Sequence, residues 1–254
     1  MRDANAEILR EALCKIRINL RSGLEVQPLS VSQNKYLHIH CPFQTIHWID
    51  PARIIYRLDG LSWRGKNELI MHGGTEFLGS FADHSTSVFI RELLNESKRL
   101  EETKLYKEMG LEEVELRVVH IGGQRVRIPL NSRENMMIYF HKCQALVDSI
   151  RAKGVESLDT APGSARGVIK DKNIGIAVTS DGRLAHFRRG HHRLAIAQAL
   201  GLKRIPVEIN FVSAKYLADR FPPWRLWSNS AMVRGVNRLL TDAVEGTAKR
   251  FTRS

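Results

Sequence analysis

The chain has 254 residues, 43% hydrophobic and 26% charged, which is enough apolar material for a packed core and too balanced for a disordered chain. Lysine and arginine number 39 against 27 acids, a formal net charge of +12. That excess attracts polyanions (nucleic acid, nucleotides, anionic lipid or phosphorylated glycans), the alternative being a solubilising surface with no specific partner.

No apolar run approaches the length needed to cross a bilayer, and the charged first twenty residues lack the apolar stretch of a secretory signal. Three widely spaced cysteines, Cys14, Cys41 and Cys143, make neither a disulfide framework nor a CxxC clip. The expectation is a cytoplasmic protein with no membrane span.

The spacing of apolar residues predicts an amphipathic helix over 4–22, closed by Gly23. Short strands are expected at 36–41 and 52–58, between the breaks at Pro42 and Pro51, and a loop around His72-Gly73-Gly74. A helix follows over 87–109, with Val88, Ile90, Leu93 and Leu94 as its apolar positions, its second half alternating acids and lysines like a solvated face. Residues 114–121 and 125–129 flank Gly122-Gly123 and read as a hairpin. A helix over 134–153 carries Met137, Ile138, Phe140, Ala145, Leu146 and Ile150 as apolar positions and ends at Gly154; residues 156–171 are a loop.

The pattern then sharpens. A β-rich run at 174–179, a turn at Ser180-Asp181-Gly182 and a strand at 183–188 lead to Gly190. A helix over 192–200, capped by Gly201, and a strand over 205–211 complete the unit. The tail carries Pro222-Pro223, Trp224, Arg225, Trp227 and a helix from about 229. The tryptophans and nearby arginines fit a single-strand nucleic-acid surface, and equally the packing of a last helix onto the core.

The chemistry concentrates where strand meets helix. Arg183, His186, Arg188, Arg189, His191, His192 and Arg193 crowd eleven positions, and no acid follows before Glu208. A glycine between strand and helix lets the chain turn tightly, and the free amides of a helix start form an anion site. Cations at that end are electrostatically misplaced unless an anion is bound there. The expected phosphate-binding residues are therefore Gly190, His192 and Arg193, with Arg189 and Arg188 as outer charge. His191 and His192 are the candidates to move a proton, and Glu156, Asp159 and Asp171 are the acids near enough in sequence to assist. His38, His40, Cys41 and His47 form a second cluster; two histidines two apart on a strand share a face, but the spacing fits no standard zinc finger, and satisfied structural histidines are the expectation.

The string DGRLAHFRRGHHRLAIAQALGLKRIPVEI resembles the core box of the ParB/sulfiredoxin superfamily. Gly190, His192 and Arg193 match its turn, Leu200-Gly201 and Ile205-Pro206-Val207 match its helix-plus-IPV phrase, and Ser149-Ile150 with Gly154 fall at its preceding helix. The resemblance covers 131–212. It implies a mixed α/β (or α+β) core with a nucleotide as ligand (ATP, ADP or CTP), accompanied by Mg2+ where phosphate is transferred. Sulfiredoxins carry a cysteine where this chain has His191, so that activity is not expected. The free-serine kinases of the superfamily have D-G-H-H-R, and Arg189 stands in place of their aspartate. The chromosome-partitioning members have a glutamate at the position of His191 and a following helix-turn-helix that is not evident here.

The expected organisation is an N-terminal helical and mixed region at 1–130, a ParB/sulfiredoxin-like core at 131–212 and a basic helical tail at 213–254. The expected function is nucleotide or phosphate binding, extending to a nucleotide-dependent phosphotransferase. The alternative is a non-catalytic nucleic-acid-binding or regulatory protein using the same basic surface.

Overall fold

The computed structural model describes residues 46–58, 70–71, 78–95, 99–108, 116–121, 124–156, 173–187, 189–220 and 229–246. The expected helix at 4–22, the strand at 36–41, His38, His40, Cys41, the loop at 72–74, Gly122-Gly123, Asp159, Asp171, Arg188, Trp224, Arg225 and Trp227 lie outside them.

The described chain is mixed α and β. A seven-stranded sheet is built from β1 (Ile46–Ile49), β2 (Ile54–Leu58), β3 (Ile70–Met71), β4 (Leu78–Ser80), β7 (Ile174–Val178), β8 (Leu184–His186) and β9 (Ile205–Ser213). Six strands run in the order β1-β9-β7-β8-β2-β4, and β3 pairs with the end of β9. The pairings β9–β7, β8–β2 and β3–β9 are parallel; β1–β9, β7–β8 and β2–β4 are antiparallel. Strands on both sides of the boundary expected near residue 130 therefore share one sheet. A separate hairpin joins β5 (Leu116–Ile121) and β6 (Gln124–Pro129), as the sequence predicts.

The central strand β7, IGIAV, is buried along its whole length. That is the signature of a strand covered on both faces, and it explains its unbroken apolar run. Ile174, Ile176 and Val178 enter the main core, while Ala177 joins Phe187 and Phe211 in a second cluster.

Six helices accompany the strands: α1 (Ser85–Leu93), α2 (Lys104–Lys107), α3 (Arg133–Lys153), α4 (His191–Ala199), α5 (Ala214–Arg220) and α6 (Asn229–Glu245). Helix α4 packs against α1 and α3, and α6 against β1 and α5. The Tyr216 hydroxyl donates to the Leu239 carbonyl at 3.1 Å and ties α5 to α6. At the C-terminal end of α4, the Gln198 amide donates to the carbonyls of Pro51 and Ile54, both at 2.9 Å, fixing that end against the start of β2.

The ends of α3 are dictated locally. Ser132 accepts from the Asn135 amide at 3.2 Å, Glu134 stands in the first turn, Arg151 and Lys153 in the last, and Gly154 stops the helix at φ 73°. Its buried stripe is Met136, Tyr139, Cys143, Val147 and Ile150; of the expected apolar set Ile150 is buried, Met137, Ile138, Phe140 and Leu146 are half-buried and Ala145 is exposed. The helix expected over 87–109 divides. After α1 the chain resumes as a 3-10 turn at Leu100–Glu102, anchored by buried Leu100, and then as α2 capped by Thr103.

Candidate functional site

Five elements place polar side chains at one point, where the N-terminal ends of α1 and α4 meet. The turn before α1 supplies His84, β5 supplies Arg117, α3 supplies Tyr139, the end of β8 supplies His186, and the first turn of α4 supplies His191 and His192. His191 is the hub: its ring centroid lies 4.4 Å from that of His192, 5.6 Å from His84 and 6.3 Å from His186. Buried Phe81 floors the cluster, 5.1 Å from the His186 ring and 6.1 Å from the His84 ring.

Each ring is held by the local chain. His84 is the N-cap of α1: its Nδ1 accepts from the Thr86 amide at 3.1 Å, so in the neutral ring the proton sits on Nε2. The His186 Nε2–H donates to the Arg189 carbonyl at 3.0 Å, leaving the Nδ1 lone pair in the neutral ring. His192 Nε2 is bonded to the Tyr139 hydroxyl at 2.6 Å. Tyr139 is itself buried, stacked on Phe89 and lying under the Arg117 guanidinium, which is 5.7 Å from its centroid. Arg117 is buried and donates to Ser85 Oγ at 3.0 Å and Thr86 Oγ1 at 3.2 Å, so the hairpin is moored to the start of α1.

The electrostatics are one-sided. Burial, with the positive fields of His192, His186, His84 and Arg117, pushes His191 down to about 2. Burial with Arg117 and His84 takes His192 to about 4, and burial with His84 and Arg57 takes His186 to about 4 despite its bond to the Arg189 carbonyl. Among the described residues no carboxylate contributes to any of the three. Burial raises the Cys143 thiol, which is hydrogen-bonded to Tyr139, to about 12, so it is no nucleophile.

The expected residues divide. Gly190 is the N-cap of α4, left-handed at φ 78°, with no side chain capping the helix. The space it leaves is filled by Ile174, whose Cα would lie 2.9 Å from an added Cβ. The glycine thus seats α4 on β7, where the sequence suggested close approach of a ligand. His191 and His192 stand in the cluster. Arg193 is half-buried in the same first turn, and Arg189 is exposed, contributing its backbone: its carbonyl accepts from Gly175 N–H as well as from His186.

Arg183 is not part of the site; it pairs with Asp181 at 2.5 Å and lies 4.5 Å over the Tyr56 ring. Glu156 is exposed beyond the end of α3, whose last residue Lys153 is ~21 Å along the helix axis from Tyr139. His47, of the second cluster, is buried in β1 opposite Val207. Among the described residues no three histidines, cysteines or acids are arranged to hold a metal. An open groove of about 680 Å3 lies at the opposite end of α4, lined by Pro51, Ile54, Ile55, Gln198, Leu202 and Lys203 among others, away from the histidines.

His84, Arg117 and Tyr139 are not marked by the sequence motif. Their traces are slight: a polar residue before a helix, an arginine in a largely apolar strand, and an aromatic on a helix stripe. Among the described residues no helix is long and apolar enough to cross a membrane. Comparison with protein-family models, with curated proteins and with solved structures returned no match.

Proposed function

We propose that the histidine–arginine cluster at the start of α4 holds a phosphate-bearing ligand, a nucleotide in the first instance. One observation carries this reading: the rings of His84, His186 and His192 pack against that of His191 with Arg117 beside them, and among the described residues no carboxylate is set against this group. Burial and these neighbours hold His191 neutral, and a bound anion would attract each positive group and so offset their mutual repulsion. The uncapped start of a nine-residue helix adds amides and a favourable dipole end. The resemblance of 131–212 to the ParB/sulfiredoxin box supports the same ligand class.

Phosphate transfer is the natural extension. It needs a base near the acceptor hydroxyl and oxygen ligands for a metal. His192 is the ring of the cluster left to meet the first requirement; Glu156 does not meet the second from its place beyond α3. Binding is therefore the core of the proposal, and transfer with Mg2+ its second stage.

Calorimetric titration with ATP, ADP, CTP and GTP, with and without Mg2+, tests it on the intact chain and on Arg193→Ala. Saturable binding of one nucleotide, weakened at least several-fold by the substitution, is the expected result. Absence of binding to all four removes the nucleotide reading. The +12 charge also favours a nucleic-acid partner, and salt separates the two. Nucleic-acid affinity falls with a log–log slope of about 0.9 per phosphate contacted, whereas a single pocket gives a shallow dependence.

A further inference from the structure

The arrangement of the rings says more about the ligand than its charge. Resting on the phosphate-binding reading above, we infer that the cluster takes a terminal phosphate, a monoester or the end group of a nucleotide, in preference to a phosphodiester, and binds it together with a proton from solvent that settles on His191.

The preference follows from how many directions the donors come from. The rings of His84 at the α1 cap, His186 at the end of β8 and His192 on α4 all lie against the His191 ring, with Arg117 from β5 acting on it too; His84 Nε2–H, His191 and Arg117 approach as donors from three different elements. A terminal phosphate offers three acceptor oxygens and close to two charges near neutral pH, so it can meet donors on several sides. A diester offers two free oxygens and one charge, and its two ester arms need exits through the same ring of side chains. The parts of this cluster lie on five elements, so both ester arms would have to leave between them.

The proton follows from the hydrogen bonds. Of the four histidines, His84 already uses Nδ1 to accept from Thr86, so protonating it there would uncap α1. His192 Nε2 is committed to Tyr139 and His186 Nε2 to the Arg189 carbonyl. His191 is in ring contact with the three other histidines and stands at the helix start, where a bound anion would lie. The groups acting on it are His84 at the α1 cap, Arg117 on β5, His186 on β8 and His192 on its own helix; behind these stand Ser85 and Thr86, bonded by Arg117, Tyr139, bonded to His192, with Cys143 on it, and Arg57 of β2, which acts on His186. None of these is a carboxylate. Among the described residues none supplies a counter-charge for an imidazolium at His191, in keeping with its depressed titration. A phosphate dianion supplies the missing counter-charge, and the imidazolium then donates a charge-assisted hydrogen bond back to it.

Titration of the intact chain with methyl phosphate, dimethyl phosphate and ATP near pH 6.5, in two buffers of different ionisation enthalpy, reads both parts. The expected result is affinity for methyl phosphate about tenfold or more above that for dimethyl phosphate, one good charge-assisted contact being worth roughly that factor. With it should come uptake of up to about one proton per site. In His191→Asn the uptake should vanish while nucleotide binding persists in weakened form, and His191→Gln serves if the asparagine variant fails to fold. In NMR the His191 ring resonance should move to its protonated position on ligand addition. ATP binding with no buffer dependence, or equal binding of the two esters, overturns this inference and leaves the nucleotide reading standing. Absence of binding to ATP and to methyl phosphate alike overturns both.

Discussion

Gly190→Ala meets two obstacles at once. The position is left-handed at φ 78°, which costs a residue with a Cβ about 1–2 kcal/mol. The new methyl would also lie 2.8 Å from Ile174 Cγ1 and 2.9 Å from its Cα, and the backbone of a central strand cannot give way as a flexible side chain can. The expected loss is about 2–4 kcal/mol, read as a lower urea midpoint with an unchanged slope. A second residue-scale expectation concerns acid. His186, His191 and His192 titrate near 6.5 when unperturbed and are held to about 4, 2 and 4 in the fold. Below pH 6.5 the unfolded chain therefore binds more protons than the native one. Their stability contribution is full above pH 6.5, falls as pH drops through 4, and declines further toward 2 on account of His191. Urea unfolding at pH 7, 5.5 and 4.5 should show a progressive loss on the order of a few kcal/mol, smaller when a phosphate ligand is present.

At the scale of elements, Phe89 joins core and site. It is fully buried on α1 and stacks on Tyr139 at 5.3 Å between centroids, so it supports the ring that holds His192. Phe89→Ala should cost about 3–5 kcal/mol in chemical denaturation and loosen the cluster as well as the core. The elements themselves were largely legible in the amino-acid string. The stop at Gly154, the hairpin about residue 122, the glycines at 190 and 201 and the apolar run of β7 are local signals, and local chemistry enforces them. The length of α1 was not legible, because an acid–lysine alternation at helical spacing suits a continuous helix and a broken one equally. What breaks it is tertiary: Leu100 is drawn into the core and Thr103 starts a new turn. The site divides in the same way. His191 and His192 stand in one motif beside a glycine, whereas His84, Arg117 and Tyr139 come from three other elements and converge only when α1, α3 and α4 pack.

For the molecule as a whole, the sheet gives the site its rigidity. The cluster sits where β8 ends and α4 begins, and α4 is fixed at its other end by Gln198 against the start of β2. A ligand held at the helix start would thus be read against a frame that draws on strands from both halves of the chain, which is why the basic motif and the residues before it act as one unit.

Strand β9 carries a consequence for how the chain is made. It pairs with β7 on one edge and with β1 and β3 on the other, so Ile46 finds its partner only at Glu208, about 160 residues later in synthesis. At ribosomal speeds of about 5–20 residues per second, β1 waits on the order of ten to thirty seconds with its edge unmatched. The sheet closes in a late step, when its shared strand leaves the ribosome, and a chain truncated before residue 205 would lose α5 and α6 together with the strand that pairs β1, β3 and β7.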